Sequence, residues 1–172
     1  MVKLKIFIRV IFIFTLIVLS ILLLFVGNGY NMYQEAINQM PLEEKVAEIK
    51  AKENYTEFSE LPQMYINAVI SVEDKRFFKH PGIDLIAIGR AAIHDIKAMD
   101  YVEGGSTITQ QLAKNMYFTQ EKKMERKIAE VFMAWQIENN YSKEEIFEFY
   151  VNTIYFGDGY YTVKDAAKRI FW

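Results

Sequence analysis

The sequence predicts a mainly α-helical protein with a single membrane-spanning helix near its N-terminus. An uncharged apolar stretch runs from Val10 to about Gly27, and apolar residues recur at helical spacing from Leu61 onward. No stretch shows the sustained alternation of polar and apolar residues that is typical of β-strands. Glycine and proline are also few, with 8 and 3 residues in a chain of 172, which favours helices over turn-rich β architecture.

The composition narrows the classes of function. The net charge of -2 gives no general electrostatic argument for nucleic-acid binding. The chain has no cysteine, which excludes a disulfide framework, a thiol nucleophile and a cysteine-based metal site. Its two histidines, His80 and His94, argue against a multi-histidine zinc site. A hydrophobic content of 52% is enough for a packed core.

The apolar stretch predicts a membrane anchor. Its length of roughly 18 residues is near the minimum for a helix that crosses a bilayer. Three basic residues precede it, at Lys3, Lys5 and Arg9, and the first charge after it is Glu35. Because basic residues flank the cytoplasmic side of membrane helices, the N-terminus is predicted to be cytoplasmic.

These features assign residues 1–9 to the cytoplasm and 10–30 to the membrane, with everything after Tyr30 outside the cytoplasm. A cleaved signal peptide and a buried helix of a soluble protein are the alternatives. A signal peptide would have a shorter apolar core and a small-x-small cleavage site, and the segment 24–29 offers no good one.

Residues 31–60 are predicted to form a helical spacer that holds the following domain off the membrane. The segment 35–59 is mostly polar and charged. Pro41 followed by Glu43 and Glu44 is typical of a helix start, since proline suits the first turn and acids suit its dipole.

Residues 61–172 are predicted to form a helical domain. Its predicted helices are one beginning near Pro62, one from Leu85 to Ala98 capped by Asp84, one capped by Ser106 that runs through Asn115, one from about Glu121 to Asn140, and one opened by the capping box Ser142–Glu145 that runs toward Asn152.

A first candidate site lies in the run from Glu73 to Gly82. Glu73 and Asp74 end an apolar helical stretch, just before two phenylalanines. An acid held beside apolar groups can act as a general base. A surface pair of acids that ends a helix is the plain alternative. His80, taken alone, is more often a structural hydrogen-bonding residue than a catalytic one.

A second candidate site lies in the run from Gly104 to Asn115. Backbone N–H groups of the turn Gly104–Thr107 could receive an anion at the start of the following helix. Lys114 lies one helical turn after the adjacent pair Gln110 and Gln111, so these side chains can converge. Taken alone, the same residues indicate only a flexible loop and a helix cap.

A third candidate site is formed by Arg126, Lys127 and Glu130. Arg126 and Glu130 share a helix face and could form a surface ion pair worth a few tenths of a kcal/mol. The functional alternative is that the two basic residues hold phosphate, while Glu130 tunes them or helps to hold a cation.

Four runs, in this order behind an N-terminal anchor, resemble the signature of the peptidoglycan glycosyltransferases. This family includes the monofunctional glycosyltransferases and the polymerising domain of bifunctional penicillin-binding proteins. The resemblance covers about Leu61 to Ala167. The runs are Glu73–Gly82, Gly104–Asn115, Arg126–Glu130 and Glu145–Gly157.

The resemblance implies a partly lysozyme-like helical domain with a membrane-embedded lip near its site. It implies polymerisation of lipid II by inverting transfer, with loss of undecaprenyl diphosphate. The catalytic residues would be Glu73, as the base for the acceptor hydroxyl, and Glu130, as a second acid. Lys114 and Arg126 would hold the diphosphate, with Lys122 at a position that is often basic in the family.

The same resemblance implies a wider set of substrate-binding residues. They are Asp74, Phe78, His80, Gly105, Ser106, Thr107, Gln110, Gln111, Lys114, Asn115, Lys122, Arg126 and Lys127. A divalent cation such as Mg²⁺ would neutralise diphosphate charge, with Glu130 as its candidate ligand. No organic cofactor is expected. The expected partners are lipid II, the growing glycan strand, the cytoplasmic membrane and other cell-wall synthesis proteins, without nucleic acid.

The resemblance also implies that the family's domain continues beyond this chain. The family-like segment Tyr161–Ala167 runs into Lys168–Trp172, so the domain is expected to be truncated at its C-terminus. Two alternatives to the transferase follow. One is a non-catalytic remnant that retains the motifs, and the other is a lysozyme-like hydrolase that also uses acids on a helical domain.

Overall fold

The computed structural model describes residues 2–98, 104–119 and 123–171. Within these ranges the chain forms α-helices and two short 3-10 helices, and no β-strand, so the mainly α prediction is confirmed. The helices are α1 (Val2–Gln39), α2 (Leu42–Lys50), α3 (Gln63–Glu73), α4 (Leu85–Ala98), α5 (Ile108–Tyr117), α6 (Met124–Asn140), α7 (Lys143–Val151) and α8 (Val163–Phe171).

Helix α1 is one continuous helix whose apolar part has no protein around it. Its most apolar 18-residue window has a mean hydropathy of 3.1 and is 0% buried. At about 1.5 Å per residue its 38 residues span about 57 Å, well beyond the roughly 30 Å of a bilayer core. The helix is therefore long and apolar enough to anchor the chain in a membrane and to continue into the folded domain.

The C-terminal turns of α1 pack against α6. A Cβ added to Gly29 would lie 2.5 Å from the Cβ of Ile128, so the two helices approach too closely for any larger residue. The Tyr33 hydroxyl donates to Gln136 Oε1 at 2.8 Å, and the rings of Tyr30 and Phe132 lie 5.2 Å apart. The anchor is thus joined to the domain along a packed face, with no flexible linker.

Helix α2 begins after Pro41, as predicted, but it is not a solvated spacer. Its residues Leu42, Val46 and Ile49 are buried in the main core. Their spacing of four and three residues puts them on one helix face, and that stripe is the sequence signal that the surrounding charges obscured. The domain bounds given above stay predictions.

Helix α5 lies at the centre of the domain, between α6 and α7. Its buried residues Ile108 and Leu112 belong to the same core as Phe77, Phe147 and Phe149, all of them fully buried. The polar residues on the remaining face of α5 are therefore carried on a rigid support.

The fourth sequence run, Glu145–Gly157, holds the loop that follows α2 through hydrogen bonds. Thr56 N–H donates to Asn152 Oδ1 at 3.0 Å, and Asn152 Nδ2 donates to the Thr56 carbonyl at 2.8 Å. Glu148 accepts from Phe58 N–H at 2.7 Å and from the Tyr55 hydroxyl. Burial, together with the Glu148 hydrogen bond, raises the pKa of Tyr55 above its ordinary value. These residues stabilise the fold.

Two of the predicted helix starts are present as expected. Asp84 accepts from the N–H groups of Ile86 and Ala87, at 2.9 Å each, at the start of α4. Ser142 and Glu145 form the expected capping box of α7. Helix α6 begins at Met124, and the predicted start at Glu121 lies outside the described residues.

Candidate functional site

Two adjoining clefts flank the N-terminal half of α5. The Glu73 cleft has a volume of about 470 Å³ and is lined by Val72, Glu73, Asp74, Lys75, Arg76, Asp84, Ala87, Arg90, Gly104, Ser106, Thr107, Gln111 and Lys114. The Arg126 cleft has a volume of about 480 Å³ and is lined by Ser106, Gln110, Gln111, Lys114, Lys123, Met124, Arg126, Lys127 and Glu130. They share Ser106, Gln111 and Lys114, so the second and third sequence runs meet along this shared wall.

Glu73 is the last residue of α3, and its side chain is exposed to the cleft. Gln111 Nε2 donates to Glu73 Oε2 at 2.9 Å. Among the described residues, no group donates to the other oxygen, Oε1. One carboxylate oxygen is thus held in place while the other is available to accept a proton.

Tyr150 orients the Gln111 amide. Its hydroxyl donates to Gln111 Oε1 at 3.3 Å, which directs the amide nitrogen toward Glu73. Burial raises the pKa of Tyr150, and the negative charge of Glu73 raises it further, so this hydroxyl stays a donor at neutral pH. Tyr150 was not among the predicted site residues, although it lies in the fourth run.

Asp74 joins the end of α3 to the start of α5. Its buried carboxylate accepts from His80 Nε2 at 3.0 Å and from Ile108 N–H at 3.0 Å. The His80 ring is also buried, and the His80 carbonyl accepts from Lys143 Nζ at 2.7 Å. His80 does not line either cleft, so its placement agrees with the structural alternative and not with the predicted substrate contact.

The turn before α5 is capped by Thr107 and not, as predicted, by Ser106. Thr107 Oγ1 accepts from Gln110 N–H, and Gln110 Oε1 accepts from Thr107 N–H, both at 3.1 Å. Thr107 Oγ1 also donates to the Gly82 carbonyl at 2.6 Å. With the N–H of Ile108 bound by Asp74, the N–H groups of Thr107, Ile108 and Gln110 at this helix start all have acceptors within the protein. Of the turn Gly104–Thr107 that was expected to receive an anion, the N–H of Thr107 is therefore already occupied. The capping box begins at Thr107, one residue after the predicted cap Ser106, because Gln110 supplies the side-chain amide that is needed at the third helical position.

The cap at Thr107 leaves the Ser106 hydroxyl to contact α6. Lys127 Nζ donates to Ser106 Oγ at 2.7 Å and to Glu130 Oε2 at 2.9 Å. Arg126 Nη1 donates to the other oxygen of Glu130. The Glu130 side chain is only 1% exposed, whereas that of Lys127 is 43% exposed. One buried carboxylate therefore holds two cations at the wall of the cleft, and the plain surface ion pair is excluded.

Lys114 lies on the wall shared by the two clefts. Within the part of the chain that the structure describes, its ammonium group has neither a hydrogen-bond partner nor an ion-pair partner. With Arg126 and Lys127, it leaves the Arg126 cleft with an excess of positive charge over Glu130. Such a cleft suits an anionic group that accepts several charge-assisted hydrogen bonds.

The residues present do not fit a divalent cation at Glu130, because both of its oxygens are bound by cationic side chains. Asp74, His80 and Asp84 do bring ligand atoms within 4.8 Å of one another. There, however, His80 binds Asp74, and Arg76 binds both oxygens of Asp84, at 2.8 and 3.0 Å. The divalent-cation requirement stays a prediction from the resemblance.

The remaining predicted site residues lie elsewhere. Phe78 is exposed and packs on Phe77, Gly105 packs against Ile88, and Asn115 lines neither cleft. Lys122 lies outside the described residues. The structure also adds basic residues that the sequence analysis did not select: Lys75, Arg76, Arg90 and Lys123. Lys123 is adjacent to the predicted Lys122, and Lys75 and Arg76 lie in the first sequence run without having been selected. Arg90 carried no distinguishing local pattern.

Helices α3 and α4, which contribute to the Glu73 cleft, also carry large exposed apolar side chains. The most exposed are Met64 (83%), Val72 (80%), Leu85 (77%) and Ile86 (61%). We call these four residues the apolar rim. Exposed apolar side chains such as these are suited to contact with a membrane or a partner.

Comparison with known proteins assigns the family. Residues 40–172, more than half of the chain, match the family described as Transglycosylase, so the chain belongs to this family. This confirms the resemblance found in the sequence at the level of the family.

Relatives of known name agree with this assignment. Penicillin-binding protein 1A of Aquifex aeolicus is 48% identical over 120 residues, which cover 70% of this chain and 16% of that protein. Monofunctional glycosyltransferase of Staphylococcus epidermidis is 45% identical over 129 residues, which cover 73% of this chain and 48% of that protein. The chain therefore spans about half the length of the staphylococcal relative.

Proposed function

We propose that this protein is a peptidoglycan glycosyltransferase that polymerises lipid II. The observation that carries the proposal is the pair of adjoining clefts that share Lys114. One holds an exposed carboxylate, Glu73, with an oxygen available for a proton. The other holds Arg126 and Lys127 above a buried acid. A transfer from a diphosphate donor needs a base on one side of the reacting carbon and cations on the other.

In the proposed reaction Glu73 removes the proton of the acceptor's 4-hydroxyl. The acceptor oxygen then forms a bond to the anomeric carbon of the growing glycan, and the bond from that carbon to the diphosphate breaks with inversion. The diphosphate leaves with the bonding electron pair. Because it is already stable as an anion, it needs charge stabilisation more than a general acid.

Lys114, Arg126 and Lys127 supply that stabilisation. Arg126 offers a planar fork for two phosphate oxygens, while the ammonium groups act as point charges. Glu130 holds Arg126 and Lys127 in place and reduces their mutual repulsion. We therefore assign Glu130 a positioning role in place of the second-acid role that the resemblance implied.

The same arrangement disfavours a hydrolase. Glycosidases of the common type need two carboxyl groups that flank the scissile bond, both free to act as acid, base or nucleophile. Glu130 is buried and bound by two cations, so it does not supply the second group. A hydrolase would also have no need of three cations beside its reactive acid.

The anchor and the apolar rim support delivery of the substrate from a membrane. We propose that the rim, of which Val72 lines the Glu73 cleft, is the membrane-embedded lip implied by the resemblance. Lys3, Lys5 and Arg9 precede the apolar stretch, so we place the N-terminus in the cytoplasm and the clefts outside it. A reporter fused after Trp172 should be active outside the cytoplasm and stay membrane-bound. Cytoplasmic activity, or release as a soluble processed form, would contradict this topology.

Incubation with labelled lipid II tests the proposed activity. The purified full chain, in detergent micelles, should produce glycan polymers from lipid II and should release no sugar from isolated cell wall. Degradation of the wall without polymerisation would assign a hydrolase. Binding of lipid II without turnover would assign the non-catalytic alternative.

A further inference from the structure

A third cavity lies at the base of the anchor helix. It has a volume of about 550 Å³, within the range of roughly 300–1,000 Å³ that is common for small-ligand sites. We call it the anchor cavity. It is lined by Met32, Glu35, Ala36, Gln39, Met40, Lys45, Met116, Tyr117, Phe118, Thr119, Lys123 and Arg126. It therefore lies between the last turns of α1, the end of α5 and the start of α6.

The anchor cavity adjoins the Arg126 cleft. Lys123 and Arg126 line both spaces, so one group bound to these side chains would lie at the junction. A diphosphate held in the Arg126 cleft would thus have the anchor cavity beside it. A chain attached to that diphosphate could enter the cavity without crossing the Glu73 cleft.

The position along α1 places the anchor cavity at the membrane surface. The apolar stretch ends near Gly27, and Met32 is five residues further, or about 8 Å along the helix. The polar headgroup layer on each side of a bilayer is itself roughly 5–8 Å thick. Met32 therefore lies near the outer edge of that layer, while Gln39 lies about another 10 Å beyond it. The cavity leads from the membrane surface up to the diphosphate cleft.

One half of the lining suits a flexible apolar chain, while the other half is polar or charged: Glu35, Gln39, Lys45, Thr119, Lys123 and Arg126. Three methionines, Met32, Met40 and Met116, lie on its walls together with the rings of Tyr117 and Phe118. Thioether side chains adapt to irregular apolar shapes and make favourable contacts with aromatic rings. The Tyr117 hydroxyl donates to the Met40 carbonyl at 3.2 Å, so the polar end of this ring is already satisfied.

We infer that the anchor cavity holds the isoprenoid units next to the diphosphate of a polyprenyl-diphosphate substrate. The inference rests on the proposed function for the choice of lipid, and it adds a route for the lipid chain between the reacting groups and the membrane. The anchor helix, in this arrangement, forms one wall of the substrate site as well as holding the protein in the membrane.

Photocrosslinking tests the location. The probe is a polyprenyl diphosphate with a diazirine in the isoprene unit next to the diphosphate, added to the full chain in detergent micelles. We expect adducts, mapped by mass spectrometry, in peptides that contain residues 32–40 and 116–118. Adducts confined to the apolar rim, or none in these two segments, would overturn the inference.

Competition identifies the lipid. Excess unlabelled polyprenyl diphosphate should abolish the adducts in the anchor cavity, and excess phosphatidylglycerol should not. If phosphatidylglycerol displaces the probe equally well, the occupant is a membrane phospholipid and the assignment to the substrate is wrong.

A cavity-filling variant gives a second readout. Met32→Trp places a larger side chain on the cavity wall, and we expect it to raise KM for a long-chain substrate by about fivefold or more. KM for a substrate with a short prenyl chain should change little. The matched control is Asn38→Trp, an exposed position on α1 that does not line the cavity. An equal rise for both chain lengths, or the same rise in the control, would contradict the inference.

The outcomes separate the two proposals. Adducts in the anchor cavity from a protein that never polymerises lipid II would support the lipid site and refute the proposed function. Polymerisation without adducts in the cavity would do the reverse.

Discussion

The two clefts beside α5 treat their carboxylates in opposite ways. Glu73 is exposed at the end of α3 and, within the described ranges, receives a hydrogen bond on one oxygen only, from Gln111. Glu130 is buried in the middle of the α6 wall and receives hydrogen bonds on both oxygens, from Arg126 and Lys127. The carboxylate of Glu73 thus has an oxygen that can accept a proton, whereas the negative charge of Glu130 is balanced by two cations.

This difference indicates that the two clefts have different roles. A carboxylate with an unused oxygen can take up a proton, whereas a carboxylate that holds two cations keeps them close together in spite of their repulsion. The first arrangement suits chemistry and the second suits the binding of an anion. The comparison predicts that substitutions in the two clefts differ in both size and kind of effect.

The largest expected effect is that of Glu73→Gln. If Glu73 is the base, turnover of lipid II should fall by about 100- to 10,000-fold, since this is the usual contribution of a general base. Helix content, measured by circular dichroism, should not change. Glu44→Gln, at an exposed acid of α2, is the matched control and should polymerise normally. Near-wild-type polymerisation by the folded Glu73→Gln variant would refute the assignment.

Loss of a cation from the Arg126 cleft should have the next largest effect. Lys114→Ala and Arg126→Ala should each reduce kcat/KM on lipid II by at least about tenfold, or roughly 1.4 kcal/mol. Arg126→Lys should recover only part of this loss, because an ammonium group cannot copy the planar guanidinium. Lys164→Ala removes an exposed charge on α8 and serves as the control. Normal kinetics in the two alanine variants would show that these cations do not bind the diphosphate.

A smaller effect is expected from a substitution that removes only the hydrogen bond that orients the Glu73 carboxylate. Gln111→Leu removes the N–H that donates to Glu73 at 2.9 Å. The Glu73 carboxylate then loses the hydrogen bond that orients it. We expect a several-fold loss of turnover on lipid II, with helix content unchanged.

Tyr150→Phe is the milder companion to this variant, because it removes only the 3.3 Å hydrogen bond that orients the amide. It should reduce turnover in the same way but by less. Unchanged turnover in both variants would show that Gln111 and Tyr150 do not orient the base.

The smallest effect on turnover is expected at Asp84, a compensated carboxylate on the wall of the Glu73 cleft. Burial opposes its charge, but hydrogen bonds from Arg76 and from the N–H groups of Ala87 and Ile86 outweigh burial and lower the pKa of Asp84. A lowered pKa means that the unfolded state binds a proton first as the pH falls. This contribution to stability is therefore complete above about pH 4, the usual range for aspartate, and is lost as the pH falls through the lowered pKa.

Asp84→Asn should accordingly reduce the free energy of unfolding by about 2 kcal/mol at neutral pH, since it breaks an ion pair and weakens a helix cap. It should also flatten the dependence of stability on pH in acid. Denaturant unfolding of the full chain in detergent, between pH 3 and pH 7, measures both. An unaltered acid dependence would mean that another group is responsible.

Much of the local structure could be predicted from the sequence. Asp84 caps α4, and Ser142 and Glu145 form a capping box at the start of α7. Both were predictable because a cap depends on residues only two or three positions apart. The prediction for α5 was one residue off. Ser106 and Thr107 are both good caps, and only the amide of Gln110, three residues after Thr107, distinguishes them.

The site was predictable as a set of residues but not as an arrangement. Glu73, Lys114 and Arg126 were selected from the sequence, and the structure brings them to two adjoining clefts. The sequence offered no distance between them. The links that Tyr150 makes to Gln111, and Asp74 to Ile108, join residues more than thirty positions apart.

The sequence by itself determined the helical class, the apolar anchor, the caps of α4 and α7, and the family, because periodicity, charge and short motifs are properties of neighbouring residues. The tertiary structure decided which polar groups are exposed and which are compensated. It placed α2 in the core and gave the first N–H groups of α5 acceptors, from Asp74 and the Thr107 cap. Among the described residues, it gave Glu73 a hydrogen bond on one oxygen only, whereas Glu130 binds two cations. The physical reason is that desolvation and ion pairing depend on distances in space, which only the packing of α1, α5, α6 and α7 sets.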